Sequence, residues 1–237
     1  MTAVRAVLFF LWFWGLSIPL ALSYTVLLVA PRRAMIEAVR FWARLIVFGL
    51  RWLGGVRTEV RGLEHLPAGR ALIAAKHQSL YDFIGPFAFL PDATFVLKRE
   101  LLAVPLFGWE ATKSGMIGID RGGHAKALKD LLRAARERLK EPRQIVIFPE
   151  GTRRKPGAPP DYKPGVAALY RDLALPCIPL ATNSGVHLNA QGLLRRRGIV
   201  VFEFLPPIPA GLKRAEFMAR LEVGIETACN EMVDAGL

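Results

Sequence analysis

The sequence contains little cysteine and histidine. Its 237 residues include four histidines and two cysteines, Cys177 and Cys229. The cysteines are far apart and form no CxxC pair, so the sequence offers neither a disulfide framework nor a zinc-binding pattern. This usage is consistent with a reducing, cytosol-facing compartment. The GxSxG motif that surrounds the nucleophile of many serine hydrolases is also missing.

Charge is missing from one long stretch near the N-terminus. No charged residue occurs between Arg5 and Arg32, and the run from Ala6 to Ala30 is almost entirely apolar. As a helix this run would reach ~37 Å, against ~30 Å for the hydrocarbon core of a bilayer. It is longer than the apolar part of a signal peptide and lacks a small-residue cleavage site. Whether the helix spans the bilayer or enters one leaflet is left open.

A second apolar segment follows from Met35 to Leu53. Its charged residues fall on one helical stripe, at offsets of about 3, 4 and 7. They are Glu37, Arg40, Arg44 and Arg51. A wide apolar face with a basic edge is typical of a helix in a membrane interface, although a soluble domain can contain such a helix in its core. Residues 1–57 are therefore predicted to form two membrane-associated helices. Because Arg32 and Arg33 follow the first run, the positive-inside rule predicts an inner-membrane protein whose catalytic domain faces the cytoplasm.

The formal net charge of +12 indicates an anionic partner. Nucleic acid, an anionic membrane and a phosphorylated substrate all fit this charge. The sequence has no recognition helix and no aromatic stacking motif for nucleic acid. We therefore expect an anionic membrane and no nucleic acid.

From residue 58 the sequence changes to short apolar runs that alternate with helical patterns. The predicted strands are Ala71–Ala75, Thr94–Leu97, Met116–Ile119, Gln144–Phe148, Cys177–Ala181 and Ile199–Leu205. Helices are predicted over Ala125–Lys140 and Phe217–Val233. This alternation predicts that residues 58–237 form an α/β domain with a mixed, largely parallel sheet flanked by helices.

Polar clusters follow several of these strands, where functional residues of open α/β sheets gather. The first contains His77 and Asp82, directly after the strand Ala71–Ala75. The two can meet if His77 lies in the turn and Asp82 in the first turn of the next helix. Asp82 would then fix the tautomer of a general base. A structural, hydrogen-bonded histidine is the alternative, and Ser79 is a rival nucleophile.

Two further clusters contain basic residues that suit a phosphate. Arg121 ends the stretch GMIGIDR and can form a bidentate bond to phosphate, or merely an ion pair with Asp120. Glu150, Gly151 and Arg153 lie in FPEGTRR, where a carboxylate and an arginine suit a substrate with both a hydroxyl and a phosphate. A polar strand-to-loop turn is the simpler reading of this stretch, and the residues that follow, 153–163, are predicted to form a surface loop.

The fourth cluster, LPCIPL, contains Cys177, which we expect to be inert packing.

The four clusters, in this order and spacing, resemble the four motifs of the HX4D glycerolipid acyltransferases, particularly the bacterial 1-acyl-sn-glycerol-3-phosphate acyltransferases. The matching stretches are KHQSLYD, GMIGIDR, FPEGTRR and LPCIPL. The stretch that begins at Lys98 is similar to a further element of that family. Lys76 and Arg154 depart from the motifs, because many members have Asn and Ser at these positions.

The resemblance implies that a fatty acyl group passes from acyl-coenzyme A or acyl-carrier protein to the free hydroxyl of lysophosphatidic acid. His77 would be the base and Asp82 its orienting group. The substrate-binding residues would be Lys98, Arg121, Glu150, Gly151, Thr152 and Arg153. No metal and no cofactor is expected beyond the acyl donor. Other lysolipids, such as lyso-ornithine lipid, are alternative acceptors, and a lipid-binding protein without turnover is the alternative outside enzymes.

Overall fold

The structure is a computed structural model that describes residues 2–120, 122 and 124–236. Within these residues there are seven strands: β1 (Val56–Arg61), β2 (Ala71–Ala75), β3 (Ala93–Lys98), β4 (Ile117–Ile119), β5 (Gln144–Ile147), β6 (Cys177–Thr182) and β7 (Gly198–Phe204). The helices in the same residues are α1 (Thr2–Tyr24), α2 (Arg32–Gly49), α3 (Tyr81–Phe89), α4 (Phe107–Ser114), α5 (His124–Arg138), α6 (Gly165–Leu173), α7 (Ser184–His187) and α8 (Arg214–Asp234).

The described strands form one sheet in the order β1-β7-β6-β2-β5-β3-β4. The five strands from β6 to β4 are parallel to one another. The β6–β7 pair is antiparallel, and β1 is parallel to β7. The carboxyl ends of the five parallel strands therefore lie along one edge of the sheet. This confirms the predicted α/β fold with a mixed, largely parallel sheet.

Both faces of the sheet are covered, as expected for a largely parallel sheet. Along β2, Ile73 points into a core shared with α1, α2 and α3, whereas its neighbour Leu72 points into a core shared with α5, α6 and α8. All five residues of β2 are buried. The strand that leads to the site therefore lies in the middle of the domain, where packing on both sides fixes its position.

The two N-terminal helices form where the sequence predicts them and pack on one face of the sheet. Phe9 of α1 and Ile46 of α2 belong to the same buried core as Ile73. The opposite side of α1 is exposed and includes Phe10 and Trp14. Among the described residues, one helical stretch, Ala3–Leu28, is long and apolar enough to cross a membrane, with a mean hydropathy of 1.9. A signal sequence or a core helix can meet the same criteria.

An ion-pair network connects the start of α2 to the edge of the sheet where β3 and β5 begin, opposite the carboxyl ends of the strands. Arg32 donates two hydrogen bonds to Asp92, at 2.9 and 2.7 Å, and a third to Glu141 at 2.6 Å. The buried Arg143 also pairs with Glu141, at 3.0 Å. Bidentate arginine–carboxylate pairs have a defined geometry, so this network fixes the direction in which α2 leaves the preceding turn.

The predicted strands occur, each within a residue or two of its predicted ends, and β2 has the predicted bounds. Strand β1 was not predicted from the sequence; its side chains are mostly half-buried and include Arg57, Glu59 and Arg61. Helices α4 and α6 and the short α7 were not predicted either. The predicted division between residues 57 and 58 falls inside β1. Residues 153–163 contain no helix or strand, in agreement with the predicted loop.

Candidate active site

Three of the predicted site residues lie at the carboxyl ends of neighbouring strands. His77 follows β2, Glu150 follows β5 and Lys98 ends β3. In the sheet, β5 lies between β2 and β3 and pairs with both in parallel. Residues that are more than 70 positions apart in the sequence are therefore brought to one edge of the sheet, the position at which open α/β sheets bind ligands.

His77 and Asp82 form the predicted pair. The Nδ1 atom of His77 lies 3.3 Å from Oδ2 of Asp82, within hydrogen-bond reach. Asp82 is in the first turn of α3, as predicted, and its side chain is 1% exposed, against 12% for His77. A carboxylate beside Nδ1 favours the tautomer with a proton on that nitrogen. The Nε2 atom is then the nitrogen that can accept a proton.

Asp82 is itself fixed by the turn before α3. Its Oδ2 accepts hydrogen bonds from the backbone N–H groups of Gln78, at 2.5 Å, and Ser79, at 2.7 Å. These bonds satisfy two backbone donors of the turn that precedes the helix, and a carboxylate in the first helical turn is also favoured by the helix dipole. The second oxygen, Oδ1, is buried and has no hydrogen-bond partner among the described residues. The five-residue spacing of His77 and Asp82 thus results from a turn closed by the same carboxylate.

Phe148 contacts the other side of the histidine. Its ring stacks on the His77 ring with 3.8 Å between the centroids and 12° between the planes. Phe148 follows β5 directly, so the parallel pairing of β2 and β5 places the two rings together. From the sequence, Phe148 was predicted only as the end of a strand, and its contact with His77 was not predicted. Stacking between the two rings leaves the imidazole few orientations.

Ser79 is engaged in structure. Its side chain is fully buried, its Oγ donates to Ser184 Oγ at 3.0 Å, and it accepts from the backbone N–H of Tyr81 at 3.2 Å. This hydroxyl holds the turn before α3 against α7. Cys177 lies in the buried strand β6, where burial raises the pKa of its thiol. A thiol whose pKa is raised is a poor nucleophile, in agreement with the expectation that Cys177 is inert.

The turn after β5 places Glu150 inside the protein and the next residues outside. Glu150 is 2% exposed, whereas Thr152 and Arg153 are exposed. Gly151 between them has a φ of +65°, a left-handed conformation that glycine adopts without steric cost. An added Cβ would meet no atom within 4 Å, so this side of the turn is open. The geometry allows one buried carboxylate and one exposed guanidinium to serve the same site.

Lys76 was known from the sequence only as a departure from the motif. In the structure its side chain is 2% exposed, and Nζ lies 3.2 Å from Glu150 Oε1 and 2.7 Å from Oε1 of Glu226 in α8. Burial raises the pKa of the Glu150 carboxyl, and the Lys76 ammonium opposes that shift. Neither Lys76 nor Glu226 was predicted from the sequence as part of the site; the sequence showed only that Lys76 departs from the motif directly before the histidine.

Of the predicted substrate-binding residues Lys98 and Arg121, the structure describes only the first. Lys98 is exposed, and its ammonium pairs with Glu100 of the following turn at 3.1 Å. Arg121 lies outside the described residues, directly after Asp120 at the end of the β4 motif. Within the part of the chain that is described, no group of three or more histidine, cysteine, aspartate or glutamate residues could hold a metal ion. The predicted absence of a metal stays a prediction.

A histidine–aspartate pair at the carboxyl edge of a largely parallel sheet, next to a serine that serves as a structural hydroxyl, is an arrangement that suits general-base catalysis by an enzyme. The chain belongs to the Acyltransferase family, whose model matches residues 57–183. This match contains all of the predicted site residues. The sequence prediction of an acyltransferase is therefore confirmed.

Individual relatives agree with this assignment. The chain is 34% identical to a 1-acyl-sn-glycerol-3-phosphate acyltransferase of Pseudomonas aeruginosa, over 97% of this chain and 90% of the relative. It is 32% identical to a protein of the same name from Helicobacter pylori, over 72% of this chain and 73% of the relative. The fold is similar to the crystal structure of the 1-acyl-sn-glycerophosphate acyltransferase of Thermotoga maritima, with a TM-score of 0.80 over 98% of both chains at 20% identity.

Proposed function

We propose that this enzyme transfers a fatty acyl group from a thioester donor to the free hydroxyl of lysophosphatidic acid, forming phosphatidic acid for phospholipid synthesis. The observation that carries the proposal is the His77–Asp82 pair at the carboxyl end of β2. The names of the relatives from Pseudomonas aeruginosa and Helicobacter pylori support this choice of acceptor.

His77 is the base in this reaction. Its Nδ1–H donates to Asp82, and Nε2 takes the proton of the acceptor hydroxyl as the hydroxyl oxygen attacks the thioester carbon. The tetrahedral intermediate then collapses, the carbon–sulfur bond breaks, and the proton on Nε2 passes to the departing thiolate. The histidine ends in its original state, and no covalent acyl-enzyme forms. This route agrees with the engagement of the Ser79 hydroxyl by Tyr81 and Ser184.

The acceptor is bound by the turn after β5. Glu150 Oε2 is buried and accepts no hydrogen bond from the described residues, so it is available to a hydroxyl of the glycerol part. The exposed Arg153, together with Arg121 and Lys98, binds the phosphate, because a guanidinium can donate two parallel bonds to it. Gly151 and Thr152 bring the backbone close to the glycerol.

The acceptor is a lipid, and the exposed face of α1 brings the enzyme to it. This face presents large apolar side chains, among them Phe10, Leu11 and Trp14. Arg51 and the neighbouring Trp52 are exposed at the end of the second helix, where a cation beside an aromatic ring suits an interface with anionic lipid. We place the enzyme at the inner membrane with its catalytic domain facing the cytoplasm.

The donor is acyl-coenzyme A or acyl-carrier protein, and the reaction needs no other cofactor and no metal. The test measures thiol release from each donor with and without lysophosphatidic acid. The native chain, His77→Ala and the control His65→Ala are compared. His65 is a second histidine, whose ring contacts the Phe204 carbonyl at 2.7 Å.

Release that requires the acceptor, persists in His65→Ala and falls by roughly 10²–10⁴ in His77→Ala is expected for a general base. Release without any acceptor would point to a hydrolase instead. No release from either donor, with lipid binding retained in His77→Ala, would favour a lipid-binding protein. Lyso-ornithine lipid and glycerol phosphate are offered as alternative acceptors in the same assay.

A further inference from the structure

A buried ammonium lies directly before the proposed base. Lys76 Nζ contacts the carboxylates of Glu150 and Glu226, and the Lys76 side chain is 2% exposed. A buried charge is strongly unfavourable without partners, so the Lys76 ammonium and the two carboxylates depend on one another for their stability. The Lys76 ammonium is already engaged by these two carboxylates, so it is not the group that we assign to the substrate phosphate. Its effect on the reaction has to pass through the carboxylates that it holds.

Glu226 connects this cluster to the C-terminal helix. Its Oε1 accepts a hydrogen bond from Lys76 at 2.7 Å and another from the Tyr162 hydroxyl at 2.9 Å. Burial and the nearby Glu226 raise the pKa of Tyr162, so its hydroxyl stays protonated and remains a donor. One carboxylate oxygen of α8 therefore fixes both the ammonium and the loop that follows the FPEGTRR turn.

The two carboxylate oxygens of Glu150 differ in their hydrogen bonds. Oε1 accepts from Lys76 at 3.2 Å, whereas Oε2 is buried and unbonded among the described residues. We propose that Lys76, held in place by Glu226, is a positioning residue that keeps Glu150 as a carboxylate with one oxygen directed to the acceptor lipid. This inference rests on the function proposed above and assigns roles to Lys76, Glu226 and helix α8 within that site.

The arrangement predicts pH effects of opposite sign for the two partners. The groups whose charges act most on Glu150 are Lys76 after β2, Glu226 in α8 and Arg154 in its own loop. Removing the Lys76 charge raises the Glu150 pKa further, so the acid limb of kcat/KM for the acceptor should move to higher pH. Removing the Glu226 charge should move the same limb to lower pH. A general loosening of the fold would not give opposite shifts.

The experiment uses the full chain in detergent micelles that contain lysophosphatidic acid, with thiol release from the active donor measured between pH 5 and 9. The variants are Lys76→Met and Glu226→Gln, and the matched control is Lys126→Met, a lysine of α5 with an 83% exposed side chain. Lys76→Met should lower kcat/KM for the acceptor by about 10- to 100-fold, as expected for one charge-assisted hydrogen bond. Lys126→Met should match the native chain.

The double variant Lys76→Met/Glu150→Gln keeps the test decisive if Lys76→Met does not fold, because it removes both buried charges. If Lys76 acts through Glu150, the double variant should have the same kcat/KM as Glu150→Gln alone. Independent, multiplicative losses would overturn the proposal, as would an acid limb that stays unchanged in folded Lys76→Met. If the native chain shows no acceptor-dependent release, the proposed function fails instead, which is a separate result.

Discussion

Asp82→Asn is expected to reduce turnover far more than it reduces stability. The variant keeps the shape of the side chain and removes its charge. The amide oxygen can still accept from the backbone N–H groups of Gln78 and Ser79, which lie 2.5 and 2.7 Å from Oδ2 in the native chain. Each of these bonds falls from about 1.5–3 kcal/mol for a charged acceptor to about 0.5–1.5 kcal/mol for a neutral one.

The summed loss is partly offset because the variant no longer buries a charge. The free energy of unfolding should therefore fall by only about 1–3 kcal/mol. Turnover depends on the carboxylate itself, which faces His77 Nδ1 at 3.3 Å and selects the tautomer of the base. Without that charge either nitrogen can hold the proton, and turnover should fall by about 10²–10⁴.

Thiol release and denaturant unfolding would be measured on the same preparations of the native chain, Asp82→Asn and Asp82→Ala. The alanine variant leaves both backbone N–H groups unpaired and should lose more stability than Asp82→Asn, about 2–6 kcal/mol, with a similar loss of turnover. Asp130→Asn, in the exposed part of α5, is the control. Folded Asp82→Asn with turnover within about tenfold of native would refute the tautomer argument.

Three further predictions concern other residues. Ser79→Ala should lose about 1–3 kcal/mol of stability because the Tyr81 N–H and the Ser184 hydroxyl both lose a hydrogen-bond partner. The variant should still turn over, without forming an acyl-enzyme. Loss of all activity in a folded variant would make Ser79 the nucleophile. Burial raises the pKa of Glu110 from 4.5 to about 7, so the native chain should lose stability as the pH rises between these values, and Glu110→Gln should abolish that slope in unfolding experiments. Arg32→Met should lower the free energy of unfolding by about 1 kcal/mol, and the difference from native should shrink with added salt; an unchanged stability would show that the pairs with Asp92 and Glu141 contribute nothing.

The elements that the sequence predicted best are those whose pattern has one physical explanation. The run Ala71–Ala75 is apolar throughout because β2 is covered on both faces, and its predicted bounds are those observed. Strand β1 contains charged residues and lies at an edge, where one side of the backbone has no partner strand, so it lacks the apolar signal. The pairing of His77 with Asp82 was predicted because a short turn brings them together locally.

The long-range contacts of the site could not be predicted from the sequence. Nothing in the helical pattern of residues 217–233 distinguished Glu226 from the other polar residues of that helix, because only the tertiary fold brings it to Lys76. Lysine is mostly found at protein surfaces, so its position before His77 did not indicate burial. The stacking of Phe148 on His77 likewise depends on the register of β2 and β5, which a single sequence does not specify.

The pairing of β1 with β7 has a consequence for synthesis of the chain. Val56 pairs with Gly198, 142 residues further along, so β1 has to wait for its partner strand while the ribosome makes the rest of the domain. At about 5–20 residues per second this delay is roughly 7–28 s. During that time both edges of β1 present unpaired N–H and C=O groups, the feature that promotes aggregation. Charged side chains at a strand edge hinder such contacts, and β1 has three of them, Arg57, Glu59 and Arg61.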